Sequence, residues 1–259
     1  MKKIFLFILV PVILFLVFFV FKSRPIEESE KNQVPQEIPV IRNNPELTVE
    51  KPEKVETEKK DFEIPLSAKN SAPFTSQAPH AKWDDLHDEA CEEASIIMAY
   101  YYLENKEKIS IKEAESEIQA MVDFQMSYFG SHKDLTAEEM VDLTEQFYEK
   151  KLSVKNFESK QEALTYMKEN LAQENIFIIP AAGRKLENPY FKTPGPLYHA
   201  LVIKGFDETA KEFITNDPGT RRGESFRYSY DVIWDSIHDF PGKKDDILEG
   251  NKTVILVEK

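Results

Sequence analysis

Tyr198-His199-Ala200-Leu201-Val202-Ile203-Lys204-Gly205-Phe206 is the stretch from which the fold can be read. His199 to Phe206 is a short, nearly continuous apolar run, and such a run with Gly close to its end reads as a buried strand. A turn around Asp207 to Lys211 follows, then a second strand from Glu212 to Asn216 that ends in Asp217-Pro218-Gly219, a strong turn former. In an antiparallel pair the start of one strand lies beside the end of the next. His199 opens the first strand and Asp217 closes the second, so both side chains are expected at one end of the sheet. A carboxylate there can take one imidazole nitrogen and leave the other free.

Outward from this hairpin, Ile176 to Pro180, Phe226 to Tyr230 and Thr253 to Val257 read as further strands, with a helical turn or two over Asp231 to Ile237. Towards the N-terminus the periodicity becomes helical. Cys91 to Leu103 carries Ala94, Ile97, Met98 and Tyr101 as one stripe. Ser110 caps a second helix, whose inner side is Ile111, Ala114, Ile118 and Met121. Thr136 with Glu139 and Ser159 with Glu162 read as capping boxes for a third and a fourth. Helices first and strands later predict an α+β domain, its N-terminal helices packed on a C-terminal antiparallel sheet.

Two segments precede that domain. Ile4 to Phe21 is apolar throughout, interrupted chemically by Pro11, with Lys2 and Lys3 before it and Lys22 and Arg24 after it. About 18 such residues rise about 27 Å as a helix, close to a hydrocarbon core. No small-residue cleavage site follows. Residues 1–22 are therefore expected to be an uncleaved signal-anchor transmembrane helix, with the bulk of the chain outside the cytoplasm. Residues 23–64 scatter Pro25, Pro35, Pro39, Pro45 and Pro52 among Glu, Lys, Asn and Gln. Such a composition cannot bury enough surface to offset ordering entropy and predicts a disordered linker. The folded domain is expected over 65–259.

Lys and Arg total 33 against 46 Asp and Glu, a formal net charge of −13. That balance argues against nucleic acid as a partner, because binding it needs clustered cations. The single cysteine, Cys91, excludes an intrachain disulfide. A helix starting after Asp88 as N-cap would put the Cys91 thiol in the first turn, where unpaired backbone N–H groups favour a thiolate. Glu92 and Glu93 oppose this if they point at the sulfur. The plain alternative for Cys91 is a small buried hydrophobe. Gln77, in Thr75-Ser76-Gln77-Ala78-Pro79, could offer a side-chain N–H to an oxyanion, together with the Cys91 amide; otherwise it is a loop glutamine.

Taken in chain order, Gln, Cys at a helix start, His on a strand and Asp at the end of the next strand resemble the C39-like cysteine peptidases of the papain-like group. The carrying stretches are Thr75 to Pro79, Ala90 to Ser95, Tyr198 to Asp207 and Ile214 to Gly223, and the resemblance covers about residues 65–259. It implies a papain-like fold with Cys91 as nucleophile, His199 as base, Asp217 orienting the histidine and Gln77 in the oxyanion hole. Many members follow the cysteine with Gly-Pro, whereas Glu92-Glu93 stand here. Familiar members are also fused to an exporter, and this chain carries no ATP-binding module.

The expected function is cleavage of amide bonds in a peptide or protein by a membrane-anchored monomer that needs no cofactor. Acyl transfer on the same residues and a catalytically inactive peptide-binding module are the alternatives. Trp83 and Arg221 are expected to touch substrate. Arg221 and Arg222 could hold a carboxylate bidentately or form ion pairs on the rim. No metal is expected: His80, Asp84, Asp85, His87 and Asp88 read as a solvated acidic loop. His132 and His238 read as surface or rim residues.

Overall fold

The computed structural model describes residues 63–259. The transmembrane helix expected over 1–22, and the linker expected over 23–64 except its last two residues, lie outside the described residues. Elements run in the order β1 (Ser67–Lys69), α1 (Asp85–Asp88), α2 (Cys91–Leu103), α3 (Ile111–Tyr128), α4 (Ala137–Tyr148), β2 (Ser153–Asn156), α5 (Lys160–Ala172), β3 (Ile176–Ala182), β4 (Tyr198–Asp207), β5 (Glu212–Asn216), β6 (Glu224–Ser229), α6 (Tyr230–Ser236) and β7 (Thr253–Val257). Short 3-10 turns at Gly183–Leu186 and Lys244–Glu249 complete the list.

The strands form one antiparallel sheet in the order β2-β7-β3-β4-β5-β6, with β1 paired to β4 outside that path. β4 is buried from Tyr198 to Phe206 because both of its faces are covered. Ala200 and Val202 join Ile176, Ile178, Ile255 and Val257 in a core shared with α2, α3 and α4. Leu201, Ile203 and Phe206 join Phe177, Ile179, Val254 and Leu256 in a second core with α5 and α6. The period-2 alternation of a strand thus divides apolar side chains between two cores, and a strand buried on both faces reads as an unbroken apolar run. The expected N-terminal helices on the sheet are present on one face; α5 and α6 cover the other.

α2 is apolar or buried nearly all round, as a helix inside a core must be: every residue from Cys91 to Ala99 is buried. α3 and α4 close their N-termini with full capping boxes, Ser110–Glu113 and Thr136–Glu139. At α5 only half of the expected box forms, with the Ser159 side chain accepting from the Glu162 N–H. Asp88 does not cap α2. It belongs to α1, whose cap is Asp84, while Ala90 occupies the N-cap of α2 without a side-chain bond.

Two irregularities shape the site. The β4–β5 register shifts between Ile203 and Gly205, and the intervening Lys204 turns inward so that Nζ donates to the Ala72 carbonyl at 3.3 Å. Asn216 Nδ2 donates to the Ala72 and Pro73 carbonyls at 3.0 and 2.9 Å. These bonds fix the segment that leads into Gln77. At Gly205 a Cβ would lie 2.4 Å from the Ala68 carbonyl oxygen, so only glycine lets β1 approach β4.

Candidate active site

β4 carries His199 to the end of the sheet, and the β5 terminus brings Asp217 beside it. His199 Nε2 and Asp217 Oδ1 are 2.8 Å apart, and both residues are buried. That contact leaves Nδ1 as the ring nitrogen available to another group. Asp217 accepts further bonds from the Gly219 N–H at 2.9 Å, the Tyr228 hydroxyl at 2.5 Å and Asn188 Nδ2 at 3.0 Å. Burial alone would raise its pKa; the neighbouring imidazole and these donors outweigh burial and hold the carboxyl below its ordinary value. It is therefore an anion fixed in position, able to select the tautomer and orientation of His199.

The histidine is also packed tightly. The Phe191 ring meets it edge-on, with centroids 5.3 Å apart and planes at 78°. A Cβ on Gly219 would lie 2.8 Å from Phe191 Cε1 and 2.9 Å from His199 Cε1. The glycine of the Asp-Pro-Gly turn thus serves close packing against the imidazole as well as turn formation.

Cys91 is the first residue of α2, and 5% of its surface is exposed. The Ala200 N–H, one residue beyond His199 on β4, is the neighbour that acts to lower the Cys91 pKa. Cys91 and His199 line one groove of about 810 Å³, together with Gln77, Trp83, Gly219 and Arg221. The residues brought together from the sequence reading are therefore Gln77, Trp83, Cys91, His199 and Arg221 on the groove, with Asp217 directly behind the histidine.

Glu92 points at the thiol. Cys91 Sγ donates to Glu92 Oε2 at 2.9 Å, and Glu92 Oε1 accepts from the Leu135 N–H at 3.0 Å. Burial, then the nearby Glu92 and Glu93 carboxylates, push the Cys91 thiol well above its ordinary pKa. Burial and Glu93 likewise raise Glu92. In this resting arrangement Cys91 is a protonated thiol, and the helix N-terminus does not outweigh the carboxylate beside it. Glu93 turns the other way, accepting from Gln125 Nε2 and lying 3.1 Å from His132 Nε2. This contact raises the His132 pKa against the opposing effect of burial. His132 is thus a partner of Glu93 and not a bare surface residue, and His238 is buried with Nδ1 3.2 Å from the Ser236 carbonyl.

Gln77 is held from two sides. Its backbone N–H donates to the Pro218 carbonyl at 3.0 Å, joining it to the Asp217 turn. Its side-chain Nε2 donates to the His87 and Asp88 carbonyls at 2.8 and 3.2 Å, and Oε1 is buried without a hydrogen-bond partner among the described residues. The two amide hydrogens are therefore engaged by the chain just before α2. In the acidic loop, His87 is buried and its ring nitrogens face Asp84 at 2.6 Å and Glu115 at 3.2 Å. Among the described residues no group of three or more His, Cys, Asp or Glu side chains is placed to hold a metal ion.

Asn188 and Tyr228 were not legible as site residues. Asn188 lies between β3 and β4, Tyr228 lies on β6, and they meet only at Asp217, where Asn188 Nδ2 also donates to the Tyr228 hydroxyl oxygen at 2.7 Å.

A family model described as the Peptidase_C39 like family matches residues 69–240. A solved structure described as that of a "putative C39-like peptidase from Bacillus anthracis" is similar to this chain at 14% identity and a TM-score of 0.44, with 74% of this chain and 98% of that chain covered. No curated protein matches the sequence.

Proposed function

The chain belongs to the Peptidase_C39 like family, and from that premise we propose that it is a cysteine-type hydrolase cleaving amide bonds in peptides, with Cys91 as nucleophile, His199 as base and Asp217 orienting the histidine. The observation that carries this reading is the division of the imidazole. Nε2 is engaged by a buried carboxylate at 2.8 Å, so Nδ1 is the ring nitrogen left free, on a histidine that lines the same groove as the cysteine.

The reaction begins when the thiol turns from Glu92 to His199 and passes its proton to Nδ1. The sulfur then bonds to the substrate carbonyl carbon, and the carbonyl oxygen takes up negative charge. The Cys91 amide, one of the unpaired N–H groups in the first turn of α2, faces that oxygen. Gln77 joins it by releasing the longer of its two bonds, that to the Asp88 carbonyl. His199 gives its proton to the departing amine as the C–N bond breaks. It then takes a proton from water, which attacks the thioester and frees the sulfur.

Trp83, 44% exposed on the groove, and Arg221 contact the substrate. Anchoring through residues 1–22, with the domain outside the cytoplasm, belongs to the same proposal and rests on the apolar run Ile4 to Phe21. A second reading, a peptide-binding module without turnover, is favoured by one observation, the Cys91–Glu92 bond.

The test is Cys91→Ala assayed against a degenerate peptide library read by mass spectrometry. The native protein should release cleavage products, and the variant should release none while melting within a few degrees of the native protein. A Cys91→Ala protein that still cleaves would rule out the thiol mechanism; a native protein that binds peptides without cleaving any would select the binding module.

A further inference from the structure

We propose that the groove takes peptides whose carboxylates lie against the loops 184–196 and 219–222; this rests on the hydrolase reading only for the identity of the bond that is cut. The observation is a local reversal of charge. The chain carries 46 acidic against 33 basic residues, and several of its cations are paired: Lys168 with Glu208, Lys133 with Glu139, and Arg227 with both Asp207 and Glu212. Yet Arg184, Lys192, Arg221 and Arg222 all line the groove beside His199. Among the described residues, none of the four has a carboxylate within ion-pair distance.

The remaining groove cation behaves differently. Lys244 bonds Glu89 and lies 3.2 Å from Asp134, so the part of the groove formed with residues 88–89 and 134 is acidic or neutralised. The positive character is confined to the two loops that flank the histidine.

Two of the four cations are also held in place. Arg184 Nε donates to the Gly195 carbonyl at 3.3 Å, and the Arg222 guanidinium lies over the Tyr190 ring, 4.8 Å from its centroid. Each guanidinium keeps further N–H donors free in a planar fork that matches a carboxylate. Tyr190, exposed on the same wall, offers an apolar surface beside them. A substrate rich in Asp or Glu would meet a chain of net negative charge and, in this groove, a cluster of four cations without carboxylate partners among the described residues. Such an arrangement favours seating an acidic segment in one orientation over adding raw affinity.

The experiment uses the full-length Cys91→Ala protein and fluorescently labelled peptides with one apolar core, flanked by Asp and Glu or by Asn and Gln, each with a free or an amidated C-terminus. Anisotropy at low salt should show the acidic peptides bound about fivefold more tightly, as for two exposed charge pairs of ordinary strength. The advantage should collapse at about 0.5 M salt and disappear when Arg221→Gln and Arg222→Gln are combined. The amidated arm separates side-chain carboxylates from a terminal one. Equal affinity for acidic and neutral peptides, no measurable binding of the acidic ones, or an acidic preference that survives the double substitution would overturn the proposal. Cleavage of the same peptides by native protein is scored separately: tight acidic binding without cleavage keeps the groove's preference and removes the hydrolase reading.

Discussion

Replacing Glu92 with Gln should make Cys91 more reactive. The thiol donates to Glu92 Oε2 at 2.9 Å, and that carboxylate is itself buried. Unit charges at this separation, with an effective dielectric constant near 20, repel by roughly 6 kcal/mol. That figure is a ceiling, because Glu92 has a raised pKa and shares the cost by holding a proton. If only a quarter of the repulsion acts on the sulfur, about 1.4 kcal/mol, its removal increases the thiolate population about tenfold. About half of that gain on a logarithmic scale is returned as lower intrinsic nucleophilicity, so alkylation should accelerate roughly threefold. The Glu92→Gln amide keeps an oxygen for the Leu135 N–H, which donates to Glu92 Oε1 at 3.0 Å, and turns a donor towards the sulfur. The assay is iodoacetamide modification at pH 7 followed by intact mass, with thermal melts run in parallel. A Glu92→Gln protein that melts like the native one and is alkylated no faster would refute the claim that this carboxylate holds the thiol protonated.

Two further outcomes follow from the imidazole's surroundings. Gly219→Ala forces a methyl to within 2.8 Å of Phe191 and 2.9 Å of His199; such overpacking costs about 1–3 kcal/mol, so the Tm should fall by roughly 2–12 °C for a domain of this size. Peptide turnover should fall with it, and an unchanged melt with unchanged turnover would contradict the packing described. Asp217 supplies the pH dependence: its folded pKa is depressed, so its stabilising effect is present above the unfolded carboxylate value of about 3.9 and is lost as pH falls through the folded value. Melts between pH 5 and pH 3 should therefore show a shallower decline for Asp217→Asn than for the native protein, and equal slopes would show that Asp217 does not contribute in that window.

Much of the fold is legible in the sequence because its longest elements obey simple periods. The run His199 to Phe206 became β4, and the stripe through Ala94, Ile97, Met98 and Tyr101 became α2. The caps Ser110, Thr136 and Ser159 stand where they were read. The short strands β1 and β2 escaped because they are three and four residues long and mostly exposed; they exist through pairing with β4 and β7, a tertiary cause with no local pattern. Asp88 was misplaced as a cap because two helix starts lie within seven residues, and Asp84 serves the first of them. In the site, chain order points to Cys91, His199 and Asp217; the structure bonds His199 to Asp217 and sets Cys91 on the same groove as His199. The direction of Glu92 did not follow from position, since a side chain one residue along a helix can face the thiol or turn from it. Asn188 and Tyr228 were invisible for a related reason: their common purpose is a single carboxylate oxygen, reached from two separate parts of the chain.

The pairing of β1 with β4 has a mechanical meaning. Ser67, Ala68 and Lys69 pair with Asp207, Phe206 and Gly205, so traction arriving from the residues before Ser67 is received by the strand that bears His199. It enters at that strand's opposite end, roughly 26 Å from the imidazole at the usual rise per residue. The load is shared among interstrand bonds there before it can reach the ring, so the chemistry is insulated from a pull on the chain that leads into the domain.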